Sequence, residues 1–193
     1  MNTKSPLSTI LTLVTLVNAI LFSVFGNIHP ATAQQELCRD IGEVSPAHTL
    51  RTLELPQFGI SIDIPENYRA LARNDGSVQI LDPGNFELIS CISRGGTAPF
   101  ARGMSSFTIR LVNNPRNLTL LNLAQQQGLY DGKNYRYNLS GKQVLITESD
   151  SGYSVAAWFT PPGINGVVMM EMSCDCELGK DDILMELDKT RLR

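Results

Sequence analysis

The chain has 193 residues, 42% hydrophobic and 18% charged, with a formal charge of −3 and an isoelectric point near 5.4. A mildly acidic protein lacks the basic field that nucleic acid requires, and it is equally unsuited to coating an anionic membrane. The composition fits neither a disordered nor a low-complexity chain.

Lys4 is the only charged residue before Glu36. An apolar run follows from Leu7 to Phe25, and Ala31-Thr32-Ala33 closes the segment. A basic end, an apolar core and a small-x-small exit predict a secretory signal peptide over residues 1–33. The rival reading is a membrane anchor, since the run reaches the lower limit for spanning a bilayer. Thr9, Thr12, Thr15, Asn18 and Ser23 interrupt it, and the exit sequence favours cleavage after Ala33. Cys38 is no lipidation site, because Gln35-Glu36-Leu37 lacks small residues. The mature chain would run from Gln34 to Arg193 as one domain of 160 residues. It keeps all 19 acidic residues and loses one of 16 basic ones, so its charge becomes −4. It would be exported and free of the membrane.

Residues 34–56 read as an irregular leading segment tied down by Cys38. Phe58, Ile60, Ile62 and Ile64 alternate with polar or small residues, which predicts a half-buried strand ending at Pro65. Asn74-Asp75-Gly76 predicts a hairpin turn before a strand at 78–81. Asp82-Pro83-Gly84-Asn85 reads as another turn, and Phe86–Ile92 as a strand carrying Cys91. Residues 94–105 form a loop. Ser106–Val112 alternates as a strand. Leu118–Gln127 reads as a short helix stopped by Gly128. Residues 129–140 are ambiguous. A meander then runs through Gln143–Glu148, Tyr153–Thr160 and a last strand from Val167 to Cys176. A helix from about Asp181 closes the chain. Asp181 and Asp182 sit at its positive end, and Lys189, Arg191 and Arg193 at its negative end. The whole predicts an α+β fold, an antiparallel sheet packed by a few helices.

All four cysteines, Cys38, Cys91, Cys174 and Cys176, follow the signal. An even count in an exported chain predicts disulfides, with three possible pairings. Cys174 and Cys176 lie two apart on the last predicted strand, so both point to one face, toward the core. A bond between them would distort an extended backbone, and each is expected to pair with Cys38 or Cys91. C-x-C is neither the spacing of a structural zinc site nor that of a C-x-x-C redox enzyme. A structural role is expected.

Candidate chemistry is sparse. His48 would be the only histidine of the mature chain, and it lacks a G-x-S-x-G partner for nucleophilic catalysis. The carboxylate pairs Glu148 with Asp150 and Asp63 with Glu66 sit at strand ends or turns, where solvation explains them. Asp175, Glu177, Asp181 and Asp182 lack the spacing of a calcium loop. Arg94-Gly95-Gly96-Thr97 lacks the lysine of a phosphate loop. No catalytic residue, metal or cofactor is expected. Arg94 and Arg102 flank Phe100, a plausible protein contact. Tyr130, Tyr135, Tyr137, Lys133 and Arg136 form a second candidate surface, although Tyr135 and Tyr137 share a face and would also suit strand packing. The partner-binding candidates are therefore Arg94, Phe100, Arg102, Tyr130 and Arg136. Asn117-Leu118-Thr119 and Asn138-Leu139-Ser140 match glycosylation acceptors.

The strand Phe58–Pro65 with Tyr68 after it, the meander Gly141–Glu148 and Tyr153–Thr160, the strand Val167–Cys174 and a helix containing Asp182-Ile183-Leu184 follow one another in a distinctive order. Over residues 56–193 this order resembles the PsbP family of photosystem II extrinsic proteins and its wider Mog/PsbP-like α/β/α sandwiches. With the signal peptide, the chain also looks like small secreted cyanobacterial proteins. The resemblance implies a sandwich fold and a non-enzymatic role. It implies no functional residue, because the family's metal-binding histidines have no counterpart here and cysteines are not its hallmark. The expected function is an exported, non-catalytic protein that binds a protein partner or supports an assembly, in a photosynthetic or periplasmic setting. The alternative is a small-molecule or lipid carrier with a pocket between sheet and helix. An enclosed apolar pocket above about 300 Å³ would favour the carrier. Two converging buried carboxylates with raised pKa would favour an enzyme.

Overall fold

Alternating apolar residues build most of this molecule. The structure, a computed structural model, describes residues 36–98, 103–129 and 133–193. The signal-peptide expectation falls outside them. The elements are β1 (Leu50–Leu55), a 3₁₀ turn (Pro56–Phe58), β2 (Ile60–Pro65), β3 (Arg69–Ala72), β4 (Val78–Leu81), α1 (Pro83–Ser93) and β5 (Ser106–Val112). After them come α2 (Leu120–Gln126), β6 (Asn134–Leu139), β7 (Lys142–Glu148), β8 (Ser154–Phe159), β9 (Val167–Ser173), α3 (Lys180–Asp188) and β10 (Thr190–Leu192). The fold is α+β, as the alternation predicts.

Seven strands form one antiparallel sheet in the order β3-β4-β5-β9-β8-β7-β6, and three form a second, β1-β2-β10. Odd and even residues of the large sheet serve different cores. Ile109, Val144, Ile146, Val155, Ala157, Phe159, Val168 and Met170 face the small sheet and α3, meeting Ile60, Ile62, Ile64, Ile183 and Leu187. Leu145, Ala156, Trp158, Val167 and Met169 face α2, meeting Leu123 and Ala124. The central strands are thus buried on both faces, so they read as near-continuous apolar runs. Trp158 is fully buried, and its indole N–H donates to Thr147 Oγ1 at 3.0 Å, which satisfies its one polar atom.

Four expectations need correction. Residues 86–92 are helical, within α1. Asp82 is an N-cap rather than a turn residue: its carboxylate accepts from the Gly84 and Asn85 amides at 2.9 and 3.3 Å. Pro83 occupies the first turn, where its missing N–H costs nothing. Residues 50–55, placed in the irregular segment, form β1, whose inward residues Leu53 and Leu55 reach the main core. The last strand stops at Ser173 rather than Cys176. Arg191 and Arg193 lie in β10 and just after it, not on a helix end. Arg191 pairs with Asp63 of β2, and Arg193 Nη1 meets Glu54 Oε2 of β1 at 3.0 Å. Acidic residues do occupy the first turn of α3.

The disulfides also differ from expectation. Cys38 is joined to Cys91, and Cys174 to Cys176. The register explains the second bond. Ser173 pairs with Ser106 at the start of β5 and with Ser154 at the start of β8, so β9 has no ladder partner beyond it on either side. The chain bends at Asp175 and Cys176, and the two Cα atoms come within 5.1 Å. A straight strand would hold them roughly 6.6 Å apart. The expected distortion is absent because the backbone there is not extended.

Candidate functional site

Between the apolar faces of the two sheets lies a solvent-open cleft of about 620 Å³. Its floor comes from the large sheet: Ile80 of β4, Phe107 of β5 and Met172 of β9, the last two directly paired. The small sheet gives Ile64 and Pro65 of β2, with Tyr68 just beyond. Glu186 and Lys189 come from the end of α3. The leading segment Glu43–Pro46 forms one wall, and Cys174, Cys176 and Leu178 form the rim.

Each wall is anchored by its own hydrogen bonds. The Val44 amide donates to Asp82 Oδ1 at 2.9 Å, so the residue that caps α1 also fixes this wall. Asn67 Oδ1 accepts from the Ala47 amide at 2.8 Å, while its Nδ2 donates to the Ser45 carbonyl at 2.9 Å. Glu43 Oε1 accepts from the Ser105 amide at 3.1 Å. Gly84 must be glycine here, because a Cβ would lie 1.8 Å from the Gly42 carbonyl oxygen.

Three carboxylates, Glu43, Asp82 and Glu186, and one lysine, Lys189, line the cleft. Lys189 Nζ is paired with Glu186 Oε1 at 2.8 Å, and Asp82 Oδ1 accepts the Val44, Gly84 and Asn85 amides. Tyr68 registers these carboxylates. Burial raises its phenol pKa first, and the carboxylates of Asp82, Glu43 and Glu186 raise it further. The phenol therefore stays protonated, an O–H beside an apolar floor.

The sequence candidates lie elsewhere, apart from two cysteines. Arg94 is exposed at the C-terminal end of α1, which packs against β3 and β4 at one edge of the large sheet. Arg136 is exposed on β6 at the opposite edge, with Gln143 Oε1 3.4 Å away. The structure does not bring these two together. Phe100, Arg102 and Tyr130 lie outside the described residues. Tyr135 and Tyr137 pack against the main core, so their strand-packing role is the one seen. Tyr137 O–H donates to Asp188 Oδ1 at 2.7 Å. Cys174 and Cys176 line the cleft.

The carboxylates flagged in the sequence serve other purposes. Glu148 Oε1 accepts from the Lys180 amide at 2.7 Å and Asp182 Oδ2 from the Gly179 amide at 2.8 Å, together capping α3. Asp63 binds Arg191 and Thr52, and Glu66 accepts from Thr49 Oγ1 at 2.7 Å. His48 is exposed. Among the described residues, no group of three or more His, Cys, Asp or Glu is placed to hold a metal ion. Nor is any helix among them long and apolar enough to cross a membrane.

The cleft itself was illegible in the sequence. Its floor residues carry ordinary strand alternation, and only the meeting of two sheets with the leading segment and the end of α3 turns them into a surface. The sequence matches no known protein-family model and no characterised protein.

Proposed function

We propose that this chain is an exported, non-catalytic binding protein that carries a small, largely apolar ligand in the cleft between its sheets. The observation that carries the reading is the 620 Å³ cleft lined by Ile64, Ile80, Phe107 and Met172. That volume lies within the range of about 300–1,000 Å³ typical of ligand sites. The carboxylates of Asp82, Glu43 and Glu186, whose charge raises the Tyr68 pKa, favour a neutral or cationic polar end on the ligand, and the Tyr68 phenol offers it a hydrogen-bond donor. Two disulfides fit an oxidising compartment, which supports export. Helical cover on both faces of the large sheet supports the PsbP-like sandwich reading.

The test is titration of the purified protein with Nile red, a neutral apolar dye, against the anionic dye anilinonaphthalene sulfonate. Saturable binding of Nile red at one site, weaker binding of the anion, and loss of binding in Met172→Trp are expected. Non-saturable binding, or binding unchanged by filling the cleft, overturns the proposal.

One observation favours a second reading, protein-partner binding. Leu37 is 67% exposed and Ile92 43% exposed, each beside one half of the Cys38–Cys91 disulfide, with Arg94 two residues beyond Ile92. Retention of a specific partner that Leu37→Glu with Ile92→Glu abolishes and Met172→Trp leaves intact would select it over the carrier.

A further inference from the structure

We propose that the Cys174–Cys176 disulfide is a thiol–disulfide exchange site that passes its bond to a peptide dithiol, with Cys176 as the sulfur attacked. This goes beyond the carrier reading, since attack at the rim does not require an occupied cleft.

The two disulfides are built differently. Cys38 and Cys91 are both buried, at 2% and 6% exposure, beside Leu88 and under Gly96, where a Cβ would lie 2.5 and 2.6 Å from their sulfurs. An incoming thiolate meets that bond only past Glu36 and Glu87, which line the small cleft at Cys91. At the other disulfide Cys174 is buried, at 7% exposure, while Cys176 is exposed. The exposure of Cys176 beside three buried cysteines therefore favours this bond and this sulfur. The leaving group is provided for as well. The Cys176 amide N–H points at Cys174 Sγ at 3.0 Å and favours a thiolate there, against the Cys176 carbonyl oxygen 3.2 Å from the same sulfur.

Opening this bond releases little structure. Its ring encloses only Asp175 between the two cysteines, and hydrogen bonds hold the chain on both sides. The Cys174 amide donates to the Tyr153 carbonyl at 3.2 Å, and the Leu178 amide to Gly152 at 2.7 Å. The site can thus be oxidised or reduced on an unchanged scaffold.

The step balances as follows. A peptide thiolate attacks Cys176 Sγ, the Cys174–Cys176 bond breaks, and its electron pair goes to Cys174 Sγ. A second thiolate of the same peptide attacks the peptide sulfur of the mixed disulfide and releases Cys176 as thiolate. The peptide leaves with its own disulfide, and the two protein thiolates take up the two protons lost by the peptide thiols. Each protein molecule oxidises one dithiol. Asp175 and Glu177 are exposed on either side of Cys176. They repel anionic thiols and favour cysteines in neutral or basic peptides.

The test mixes the oxidised, purified protein with a synthetic peptide bearing two cysteines flanked by lysines, or with its glutamate-flanked counterpart. Acid quenching, alkylation and peptide mapping follow. One equivalent of oxidised peptide per protein is expected, with Cys174 and Cys176 alkylated and Cys38–Cys91 intact. The lysine peptide should react about tenfold faster than the glutamate peptide at low salt. A single-cysteine peptide should be trapped on Cys176. Adducts on Cys174, equal or faster loss of Cys38–Cys91, or an unoxidised dithiol peptide overturns the proposal. Equal rates for the two peptides overturn its substrate class. Cys174→Ser with Cys176→Ser should abolish peptide oxidation, and oxidation that persists in that variant equally sinks the idea. The mapping on the unaltered protein decides the matter if that variant fails to fold.

Discussion

Replacing Cys38 and Cys91 together by alanine isolates the stabilising role of the long-range disulfide. The bond joins residues 53 apart. The chain-entropy relation for a loop of that length gives about 4 kcal/mol of restriction on the unfolded chain. For a domain of this size each kcal/mol moves the melting temperature by about 2–4 °C, so the double variant should melt about 8–16 °C lower. The removed sulfurs pack with Leu88, Ala98 and Met104, so the space left behind can only add to that loss. Cys174→Ala with Cys176→Ala is the control. Its ring is so short that the same relation gives less than about 2 kcal/mol, and short stiff loops fall outside its strict range. Calorimetric melts of both variants beside the wild type, at matched pH and salt, measure the difference. Hydrogen exchange adds a local readout. Cys38 N–H bonds to the Thr97 carbonyl at 2.8 Å and Thr97 N–H to the Glu36 carbonyl at 2.9 Å, and these amides should lose protection first. A melting shift below about 2 °C for the Cys38/Cys91 variant, or equal shifts for the two variants, would refute the reasoning.

Glu171 sits on β9 facing away from the main core, and burial raises its pKa despite the opposing charge of Arg110. A raised folded pKa means the charged form costs stability as pH rises through and above the ordinary glutamate range. Glu171→Gln should therefore be more stable than wild type near neutral pH and indistinguishable from it well below that range, as urea midpoints across pH would show. Asp63 shows the opposite sign. Its hydrogen bond from Arg191, then that from Thr52, lowers its pKa below 3.8, so its contribution is present above that value and lost as pH falls through the folded pKa. Asp63→Asn should lower stability at neutral pH, and the deficit should shrink in acid. Thr147→Val leaves the buried Trp158 N–H without an acceptor, which should cost about 1–3 kcal/mol in denaturant unfolding followed by tryptophan fluorescence.

Strands were legible wherever alternation met a buried face, as in Phe58–Pro65, Ser106–Val112 and the meander from Gln143. Helix α1 was missed because Asp82-Pro83-Gly84-Asn85 serves equally as a turn and as a cap with proline in the first turn. The apolar residues decide between them. Phe86, Leu88, Ile89, Cys91 and Ile92 do not alternate, and Leu88 and Cys91, three apart, are the two that become buried. Three-residue β10 exists only because β2 offers an edge, so no local pattern announces it. Cys174–Cys176 was misjudged by extending β9 past the point where its neighbours end. A strand's straightness is set by its partners, and Ser106 and Ser154 are remote in sequence. Glu148 read as a solvated carboxylate at a strand end because sequence alone cannot show that the start of α3 lies above it.

The cleft persists because its walls are fixed independently of whatever might fill it. An unsupported gap between two sheets would close, since burying its apolar floor is favourable by about 25 cal/mol per Å². Three features oppose closure here. The leading segment is pinned at Val44 by Asp82 and at Ser45–Ala47 by Asn67, so it cannot swing inward without breaking these hydrogen bonds. At the other wall, the Asp63 amide bonds to the Lys189 carbonyl at 3.1 Å, and Thr190 Oγ1 donates to the Glu186 carbonyl at 2.8 Å. These bonds lock the end of α3 to β2. On the rim, the disulfide loop is tied to the turn before β8 through Gly152 and Tyr153. Closing the cleft would break bonds on three sides to bury one apolar surface. An open, partly apolar cleft is therefore the stable form of the empty protein, and a ligand entering it meets walls already in place.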